Sequence, residues 1–410
     1  MDGKRVGVIG AGPAGLMAAG RAAERGLKVY VFERNDRPCR KLMLTGNGRC
    51  NITNACPREE LIRNIPGNGR FLYSSLSRFS NADIRVFLER LGVRLKVESD
   101  GRVFPASDRA SDICTALTEY AVKNHAVIRY NSRVKDIREE GCCIRGVSLE
   151  SGEFVELDAV VLATGGLSYP ATGSTGDGYK MAEKLGHTVT ELRPSLVPLV
   201  TDETWVRELS GLSLKDVLLT AYDKGGKKVF EKTGEMLFTH FGVSGPLVLS
   251  ASRRILDSGF AGSVLVLDLM PELTIDELDR QIQNGFGNSS RKHVSNALHG
   301  FLPKSFIPVF IRLLGIPAEK PVNQITRQER QRIVSLMKGI RLKVTGSRPI
   351  AEAIVTSGGV RVAEINPKTM ESKLVKGLYF AGEVIDVDAY TGGFNLTIAL
   401  STGYTAGSSI

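Results

Sequence analysis

The stretch KRVGVIGAGPAGLMAAGRAAERGLKVYVFER, residues 4–34, decides the fold. Its apolar run at residues 6–9 predicts a short β-strand, and a glycine-rich turn follows at once. A helix is then expected to run to about Arg25, where a glycine ends it. A second apolar strand at residues 29–32 ends at Glu33. Strand, glycine turn, helix and strand in this order predict a βαβ unit that binds a dinucleotide.

The three glycines of the turn have separate physical roles. Gly10 allows the tight turn, Gly12 lets a pyrophosphate approach the backbone, and Gly15 lets helix and strand pack closely. The helix N-terminus adds free N–H groups and a partial positive charge that favour phosphate. Glu33 lies 18 residues beyond Gly15, close to the usual spacing of a carboxylate that binds a ribose diol, and it favours FAD or NAD over NADP. The candidate contacts in this unit are Gly10, Gly12, Pro13, Ala14, Gly15, Glu33 and Arg34.

Two later stretches favour FAD over NAD. Residues 157–186, LDAVVLATGGLSYPATGSTGDGYKMAEKLG, resemble the segment by which two-dinucleotide-fold flavoproteins return to the sheet beside the cofactor. Residues 377–407, GLYFAGEVIDVDAYTGGFNLTIALSTGYTAG, resemble the closing element of glutathione-reductase-type flavoproteins, in which an acid binds the ribityl or pyrophosphate region. The helix that follows points its N-terminus at the flavin, where reduced flavin carries negative charge. The candidate contacts in the two stretches are Ala163, Thr164, Gly165, Gly382, Glu383, Asp386, Gly392, Gly393, Phe394, Asn395 and Leu396.

These signals describe one cofactor site. The commonest closing element has Gly-Asp, whereas this chain has Gly382-Glu383, so Asp386 is expected to share the contact. No second complete G-x-G-x-x-G unit is found, so no separate pyridine-nucleotide domain is expected and NAD(P)H would dock transiently over the flavin. The sequence therefore predicts an α/β protein with a Rossmann-like, glutathione-reductase-type FAD-binding domain.

A fourth signal is the stretch RKLMLTGNGRCNITN, residues 40–54. Its glycine-rich loop offers many free backbone N–H groups between two cations, and such a loop can wrap phosphates or a flavin edge. Cys50 has no C-x-x-C partner, so we interpret it as a small residue packed beside this loop, and Cys50→Ser is expected to keep the flavin. The candidate cofactor contacts in the stretch are Lys41, Thr45, Gly46, Gly48 and Arg49.

Together with GEMLFTHFGVSGPLVLSAS (residues 234–252) and TSGGVRVAEINPKTMESK (residues 356–373), these stretches resemble the BaiN/YhiN-like flavoprotein family of NAD(P)/FAD-dependent oxidoreductases, over nearly the whole chain. The resemblance implies an FAD domain built from both ends of the chain around a middle insertion. It also implies FAD contacts at Ala14, Glu33, Val134 and Glu383. Activities assigned within the family include reduction of 4-ene and 6-ene bonds in 3-oxo bile-acid intermediates, and relatives are labelled aminoacetone oxidase.

The middle of the chain lacks the glycine signals. Short apolar runs with glycine turns predict an inserted antiparallel, barrel-like β subdomain at residues 191–270. Helical spacing and the S/T-x-x-E capping boxes that start at Thr274 and Thr326 predict a small helical subdomain at residues 271–345. The discontinuous FAD-binding domain then comprises residues 1–190 and 346–410.

Flavin chemistry needs few protein groups, because the cofactor transfers the hydride and the protein manages protons. We expect an NAD(P)H-dependent reductase of a C=C bond conjugated to a ketone, such as a steroid-like or bile-acid-like 3-oxo enone. Tyr390 and His240 are candidate proton donors, and Arg49 could stabilise an enolate. The alternatives are a flavin oxidase of a small amine such as aminoacetone, and an RNA-associated flavoprotein.

The composition sets the remaining expectations. Lys and Arg number 54 against 44 Asp and Glu, a net charge of +10, and residues 320–348 hold eight basic residues and one acid. We interpret that segment as a solvated helix face, because no nucleic-acid-binding motif accompanies it. Sparse cysteines, no signal-like start and no long apolar run predict a cytoplasmic protein without a membrane span. The family resemblance implies a small-molecule substrate, which we expect to be apolar. His293 and His299 are expected at the surface and no metal site is predicted; the oligomeric state stays open.

Overall fold

The computed structural model describes residues 3–287 and 292–410. The chain divides into two compact units. The first unit comprises Met1–Ser195 and Ile350–Ile410, and the second comprises Leu196–Pro349. The sequence predicted the borders of the discontinuous unit at residues 190 and 346.

Both units contain strands and helices. Over the described residues the strands are Arg5–Ile9 (β1), Lys28–Phe32 (β2), Thr53–Asn54 (β3), Leu95–Val97 (β4), Arg102–Pro105 (β5), Val127–Arg129 (β6), Val134–Glu140 (β7), Cys143–Leu149 (β8), Phe154–Glu156 (β9), Ala159–Leu162 (β10), Arg193–Ser195 (β11), Leu199–Thr201 (β12), Ser213–Tyr222 (β13), Lys228–Thr239 (β14), Gly242–Ser244 (β15), Val264–Asp268 (β16), Ile340–Ser347 (β17), Val355–Ser357 (β18) and Leu378–Phe380 (β19). The α-helices are Pro13–Glu24 (α1), Arg58–Arg63 (α2), Tyr73–Arg78 (α3), Asn81–Arg90 (α4), Ala110–Lys123 (α5), Asp177–Lys184 (α6), Pro246–Ile255 (α7), Ile275–Gly287 (α8), Val294–Ala297 (α9), Ile307–Leu314 (α10), Arg327–Lys338 (α11) and Phe394–Ser409 (α12).

A parallel sheet forms the centre of the first unit. Among the described residues its strand order is β19-β10-β1-β2-β6, and every neighbouring pair is parallel. Ile9 pairs with both Phe32 and Leu162, so three strands end at the same edge of the sheet. The strands are apolar and mostly buried, as expected where helices cover a parallel sheet. The predicted Rossmann-like α/β fold is confirmed.

The C-terminal helix α12 packs against the N-terminal helix α1. The two helices approach so closely that a Cβ at Gly403 would lie 2.3 Å from the carbonyl oxygen of Ala14, which excludes a side chain there. The strand β19, which precedes this helix in the chain, pairs with β10. Residues near both ends of the chain therefore complete one core.

Smaller antiparallel sheets surround the parallel one. They are β7-β8-β9, β3-β5-β4 and the two-stranded β11-β18. The sheet β3-β5-β4 lies directly after the glycine-rich loop, because Thr53 of β3 pairs with Val103 of β5. It anchors the C-terminal part of the stretch RKLMLTGNGRCNITN.

The second unit is a closed antiparallel barrel with helices. The barrel order is β12-β15-β14-β13-β16-β17. Phe238 of β14 packs edge-on against Phe306, which precedes α10, with ring centroids 5.8 Å apart. Barrel and helices thus share one apolar core, whereas the sequence predicted two subdomains.

The assignment of residues 271–345 to a helical subdomain is wrong at its C-terminal end. Ile340–Ser347 is a barrel strand, in which Ile340, Leu342 and Val344 are buried and Arg341 and Lys343 are exposed. This alternation has the period of a strand, and it lay inside the basic segment that was interpreted as a helix face. The predicted capping boxes form as expected, with Thr326 and Glu329 bonding reciprocally at the start of α11. None of the described helices is long and apolar enough to cross a membrane.

Candidate cofactor cleft and flavin site

A cleft opens at the carboxyl ends of β1, β2 and β10, where open parallel sheets bind their ligands. It holds about 810 Å³ of empty space, part of it open to solvent. The residues proposed from sequence that line it are Gly10, Gly12, Pro13, Glu33, Arg34, Lys41, Val134, Ala163, Thr164 and Gly165. The fold therefore brings together residues from five separate stretches of the chain.

Glu33 is held rigidly at the end of β2. Its carboxylate accepts hydrogen bonds from the backbone N–H of Ala11 at 2.8 Å and of Asn35 at 2.9 Å. The side-chain amide of Asn35 donates a third bond at 2.7 Å. Glu33 is 7% exposed and lines the cleft, so its orientation is fixed before a ligand arrives. Carboxylate lone pairs that remain can accept the hydroxyls of a ribose.

The start of α1 fits a pyrophosphate. No side chain caps the helix, whose first residue is Pro13, and a Cβ placed on Gly12 would meet no atom within 4 Å. The approach to the first-turn N–H groups, which include those of Ala14 and Gly15, is therefore open. Across the cleft the hydroxyl of Thr164 is buried and has no hydrogen-bond partner among the described residues. Leaving such a hydroxyl unbonded costs about 1–3 kcal/mol, and a polar group of the cofactor would remove that cost.

Lys41 and Glu383 form an ion pair between the glycine-rich loop and the closing element. The Lys41 ammonium donates to one oxygen of Glu383 at 2.7 Å and to the Ser168 hydroxyl at 2.7 Å. The other Glu383 oxygen accepts from the Thr356 backbone N–H at 2.9 Å and from Ser168 at 3.1 Å. Glutamate reaches these partners because its side chain is one methylene longer than aspartate. The geometry thus assigns Glu383 a structural partner in addition to its proposed FAD contact.

The segment before α12 is tightly held. Asn395 accepts from the Ala389 backbone N–H at 3.0 Å and donates to the Ala389 carbonyl at 2.9 Å. The backbone N–H of Tyr390 donates to the Asn64 carbonyl at 3.0 Å, and the Tyr390 side chain is 8% exposed. Asn395 stays a predicted cofactor contact, and its amide fixes the turn that carries Tyr390. The neighbouring contacts proposed from sequence, Phe394 and Leu396, lie in the first turn of α12.

The N-terminus of α12 is built on a glycine pair. Gly393 has a φ of 93°, and a Cβ there would lie 2.5 Å from the Thr53 carbonyl oxygen, so only glycine fits. With the Asn51 amide oriented to satisfy its neighbours, Asn51 accepts from the Gly393 N–H at 3.0 Å and donates to the carbonyls of Val103 and Thr53. The glycine-rich stretch therefore positions the helix that is expected to face the flavin. Gly392, with a φ of 122°, precedes this cap.

Asp386 lies in the same segment. Burial raises the pKa of its carboxyl, and the nearby Asp388 adds to this, while Thr190 and Asn68 oppose it by hydrogen bonding. The Asn68 amide also donates to the Asp386 carbonyl at 2.7 Å. A carboxyl in this setting retains its proton to a higher pH than usual. A contact between Asp386 and a ribityl chain stays a prediction. Gly382, which precedes it in the closing element, donates a hydrogen bond from its backbone N–H to the Thr402 hydroxyl at 2.9 Å.

Of the loop at Leu42–Gly48, Leu42 lines the cleft and the other residues do not. Thr45 bonds back to the Leu42 carbonyl at 2.7 Å, and Gly46 has a left-handed backbone with a φ of 57°. Gly48 also has a positive φ, of 82°. Thr45, Gly46 and Gly48 shape this turn, and their contact with a cofactor stays a prediction.

Arg49 is engaged elsewhere. Its guanidinium donates to Asp108 at 2.7 Å and to Glu98 at 2.5 Å, and it lies 4.1 Å from the centroid of the Phe104 ring. These two carboxylates neutralise the charge that a phosphate or an enolate would need. Because its charge is already neutralised, we leave Arg49 out of the proposed site. Its partners come from segments that sequence spacing could not identify.

Cys50 is fully buried, and burial raises its pKa to about 12. A thiol with that pKa is protonated at neutral pH and is a poor nucleophile. Cys114 behaves differently, because a hydrogen bond from the Cys39 thiol lowers its pKa to about 7. All six cysteines, each within the described residues, are free. The geometry agrees with Cys50 as a packing residue.

The candidate histidines belong to the second unit. His240 is exposed between β14 and β15 and packs edge-on against Phe241, with ring centroids 5.0 Å apart. His293 and His299 are exposed. Over residues 3–287 and 292–410, no group of three or more His, Cys, Asp or Glu side chains could hold a metal ion.

A buried Ser-His-Glu line lies outside the cleft. His187 contacts Ser372 Oγ at 2.9 Å through Nε2 and Glu364 at 3.2 Å through Nδ1. However, Ser372 Oγ already accepts bonds from the backbone N–H groups of Leu374 and Val375, at 3.0 and 2.8 Å. The serine is 8% exposed and its oxygen is occupied, so this line is structural rather than nucleophilic.

The basic segment 320–348 is less charged than its sequence suggests. Arg327, Arg332 and Arg341 are exposed. Four other cations are neutralised by carboxylates: Lys320 by Glu329, Arg330 by Asp279, Lys338 by Asp268 and Lys343 by Asp202. Half of the segment's basic residues therefore serve the structure of the second unit.

Sequence reasoning missed several residues of the cleft, among them the charged residues Arg133 and Asp177. Arg133 precedes β7, and Asp177 is the first residue of α6; both line the cleft. Asp177 had a detectable signal, because an acid directly after the glycine-rich segment 173–176 marks a helix start. Arg133 had none, since its role depends on a partner 44 residues away.

The parallel sheet, the open glycine turn before α1 and the fixed carboxylate Glu33 define a Rossmann-type dinucleotide-binding protein, and the family match and the relatives given next make it an FAD-dependent oxidoreductase. The chain belongs to the family described as HI0933-like protein Rossmann domain, which matches residues 4–409. This confirms the resemblance to BaiN/YhiN-type flavoproteins.

Relatives with different names are about equally similar to this chain. It is 30% identical over 409 residues to a 3-dehydro-bile acid delta(4,6)-reductase of Clostridium scindens, covering 98% of each chain. It is 31% identical over 398 residues to a ribosomal RNA dihydrouridine synthase of Escherichia coli, covering 97% of this chain and 95% of the relative. In fold it resembles a 3-ketosteroid-delta4-(5alpha)-dehydrogenase of Rhodococcus jostii RHA1, with a TM-score of 0.53, 15% identity and coverage of 99% and 96%.

Proposed function

We propose that this protein reduces a C=C bond conjugated to a carbonyl group, with NAD(P)H as the electron donor and a steroid-like 3-oxo enone as the first candidate substrate. The observation that carries the proposal is the fixed backbone at Tyr390, a phenol two residues before the glycine pair that starts α12. Asn395 and Asn64 hold its backbone on both sides. A phenol carried on a backbone held in this way could donate a proton to a substrate.

The names of the two relatives support the class of reaction. A delta(4,6)-reductase of 3-dehydro bile acids saturates C=C bonds conjugated to a 3-oxo group. Dihydrouridine differs from uridine by two hydrogens across a C=C bond conjugated to a ring carbonyl. The two substrates differ greatly in size and charge, but the reacting groups are alike. The shared feature is an electron-poor alkene.

The chain's own residues would divide the work. Gly12, Glu33 and Thr164 would hold the cofactor, and bound FAD would supply the hydride. Tyr390 would donate a hydrogen bond or a proton to the substrate. His240, exposed on the second unit, is kept as a second candidate donor.

Reduction of uracil in RNA is the second candidate function. The observation in its favour is the exposed arginines of α11 and β17, Arg327, Arg332 and Arg341, which could contact phosphates. Three phosphate contacts predict that the logarithm of RNA affinity falls with the logarithm of salt concentration with a slope of about −2. The paired cations of the same segment would add little to that slope.

The test is an anaerobic two-step reaction. FAD-loaded protein is mixed with NADH or NADPH, and bleaching of the visible flavin band is followed. The reduced protein then receives a 4-ene-3-oxo steroid or a uridine-containing ribosomal RNA fragment. Recovery of the flavin band with formation of the saturated product identifies the substrate class. A flavin that neither nucleotide bleaches, or that neither alkene reoxidises, would rule out the proposal.

Matched variants separate catalysis from flavin binding. Tyr390→Phe is expected to keep its flavin and its bleaching rate and to slow reoxidation by the alkene by about 10²-fold, a typical value for an acid–base group. Tyr404→Phe is the control, because Tyr404 stacks on Phe79 at 4.3 Å within the apolar core. Anaerobic bleaching by aminoacetone, followed by rapid reoxidation in air, would instead support the amine oxidase.

A further inference from the structure

We propose that Asp177 is a positioning residue that fixes Arg34 and Arg133 as one wall of the cleft, and that this wall recognises the adenosine half of FAD. The inference rests on FAD binding to the cleft and is independent of the substrate that the flavin reduces. It concerns residues from three segments: the end of β2, the start of β7 and the start of α6.

One carboxylate oxygen of Asp177 holds both arginines. Arg34 donates to it at 3.2 Å through Nη1, and Arg133 donates at 3.0 Å through Nε, with its Nη2 also 3.0 Å away. Each guanidinium has a second partner, Thr175 at 2.6 Å for Arg34 and Glu150 at 3.1 Å for Arg133. Asp177 is 19% exposed, against 62% for Glu150. The shared carboxylate is therefore the inner support of the pair.

Without Asp177 the two guanidiniums would repel each other. Two like charges that share one partner stay close only while that partner is ionised. Burial by itself would raise the pKa of Asp177, but the hydrogen bond from Arg133 and the charges of both arginines hold that pKa below its ordinary value. The position of Asp177 at the first turn of α6 favours the same ionised form. Asp177 is thus ionised and holds both arginines throughout the neutral pH range.

Asn35 connects this wall to Glu33. Its amide donates to Glu33 at 2.7 Å and to the Thr172 carbonyl at 3.1 Å, and its side-chain oxygen accepts from Arg40 at 3.0 Å. Thr172 belongs to the same connection that leads to Asp177. The wall formed by the two arginines and Asp177 therefore lies at the same end of the cleft as Glu33. Because Glu33 is the carboxylate expected to bind the ribose, this is the adenosine end.

The chemistry of the wall suits a purine nucleoside. Guanidinium groups are planar and weakly hydrated, so their faces stack on aromatic rings while their edges keep hydrogen bonds. Arg34 and Arg133 are 30% and 39% exposed, so part of each group remains available to a ligand. FAD and ADP carry the adenosine group that this end would contact, and FMN lacks it.

The experiment measures ligand binding to the apoprotein by calorimetry, with no substrate present. Asp177→Asn keeps the shape of the side chain and removes its charge. We expect about tenfold weaker binding of both FAD and ADP, as the loss of one partly exposed charged contact would give, and an unchanged affinity for FMN measured by competition. Glu150→Gln, which alters the outer partner of Arg133, is the control and is expected to change either affinity by less than about twofold.

Two outcomes would overturn the inference. In the first, Asp177→Asn binds ADP as tightly as the natural protein does. In the second, its affinities for FMN and for ADP fall by the same factor, which is what general damage to the fold would produce. Arg133→Gln tests the same wall if the first variant does not fold, because it leaves Asp177 and α6 intact. This variant must also bind ADP more weakly than the natural protein and bind FMN with the same affinity. A failure of enone reduction would leave these binding results unaffected.

Discussion

Replacing Lys41 with methionine should uncouple the glycine-rich loop from the closing element. Methionine keeps the apolar stem and removes the ammonium that bonds to Glu383 and Ser168, each at 2.7 Å. A hydrogen bond to a charged group contributes about 1.5–3 kcal/mol when buried. Lys41 and Glu383 are 21% and 20% exposed, so solvent screens part of this, and we expect Lys41→Met to lower the free energy of unfolding by about 1–2 kcal/mol.

A double-mutant cycle tests whether that loss belongs to the pair. Lys41→Met, Glu383→Gln and the double variant are unfolded in urea as apoproteins and followed by circular dichroism. The double variant should lose about 1 kcal/mol less than the sum of the single variants, because each single change already removes the shared bond. Trp205, the only tryptophan in the sequence, lies in the second unit, so its fluorescence is an internal control. Losses that add to within about 0.5 kcal/mol would refute the coupling.

Three further experiments probe the first unit. Gly393→Ala should release most of the bound flavin, seen as a lower ratio of visible to ultraviolet absorbance, because its Cβ would meet the Thr53 carbonyl at 2.5 Å; full flavin content would contradict the tight cap. Iodoacetamide should alkylate Cys114 at a rate that rises through about pH 7 and leave Cys50 unlabelled in the folded protein, as mass spectrometry can show; labelling of Cys50 would restore a reactive thiol. Burial holds the pKa of His187 below its ordinary value of 6.5, so the unfolded chain takes up a proton that the folded one refuses. Stability should therefore fall as the pH drops below about 6.5, and His187→Gln should flatten that dependence between about pH 7.5 and 5.5 in thermal unfolding.

The sequence predicted the elements that depend on local patterns. The first βαβ unit, the apolar strand before Ala163 and the helix after Gly393 all follow from short-range periodicity and glycine spacing, and the structure has them at these places. Residues 340–347 show the limit of such reasoning. Their strand alternation was hidden by basic residues directly after a real helix.

Partners that are distant in sequence could not be predicted. Arg49 was expected to bind an anion, but its carboxylate partners lie 49 and 59 residues away. Glu98 lies between β4 and β5 and Asp108 between β5 and α5, and no local pattern links either residue to the loop. Asn395 was assigned to the cofactor because of its place at a helix start, and the sequence did not show that its amide also bonds to a turn six residues earlier. Side chains that can serve either a ligand or the backbone are resolved only when the neighbouring segments are known.

The pairing of β19 with β10 and of α12 with α1 has a consequence for synthesis of the protein. The strand β1 leaves the ribosome early, yet the sheet gains its last strand only after residue 380 has emerged, more than 200 residues after β10. The barrel unit, whose residues are contiguous, can fold during that interval. The flavin cleft is therefore expected to acquire its cofactor late, and a pause in translation once residue 349 has left the ribosome would leave a folded barrel attached to an incomplete nucleotide site.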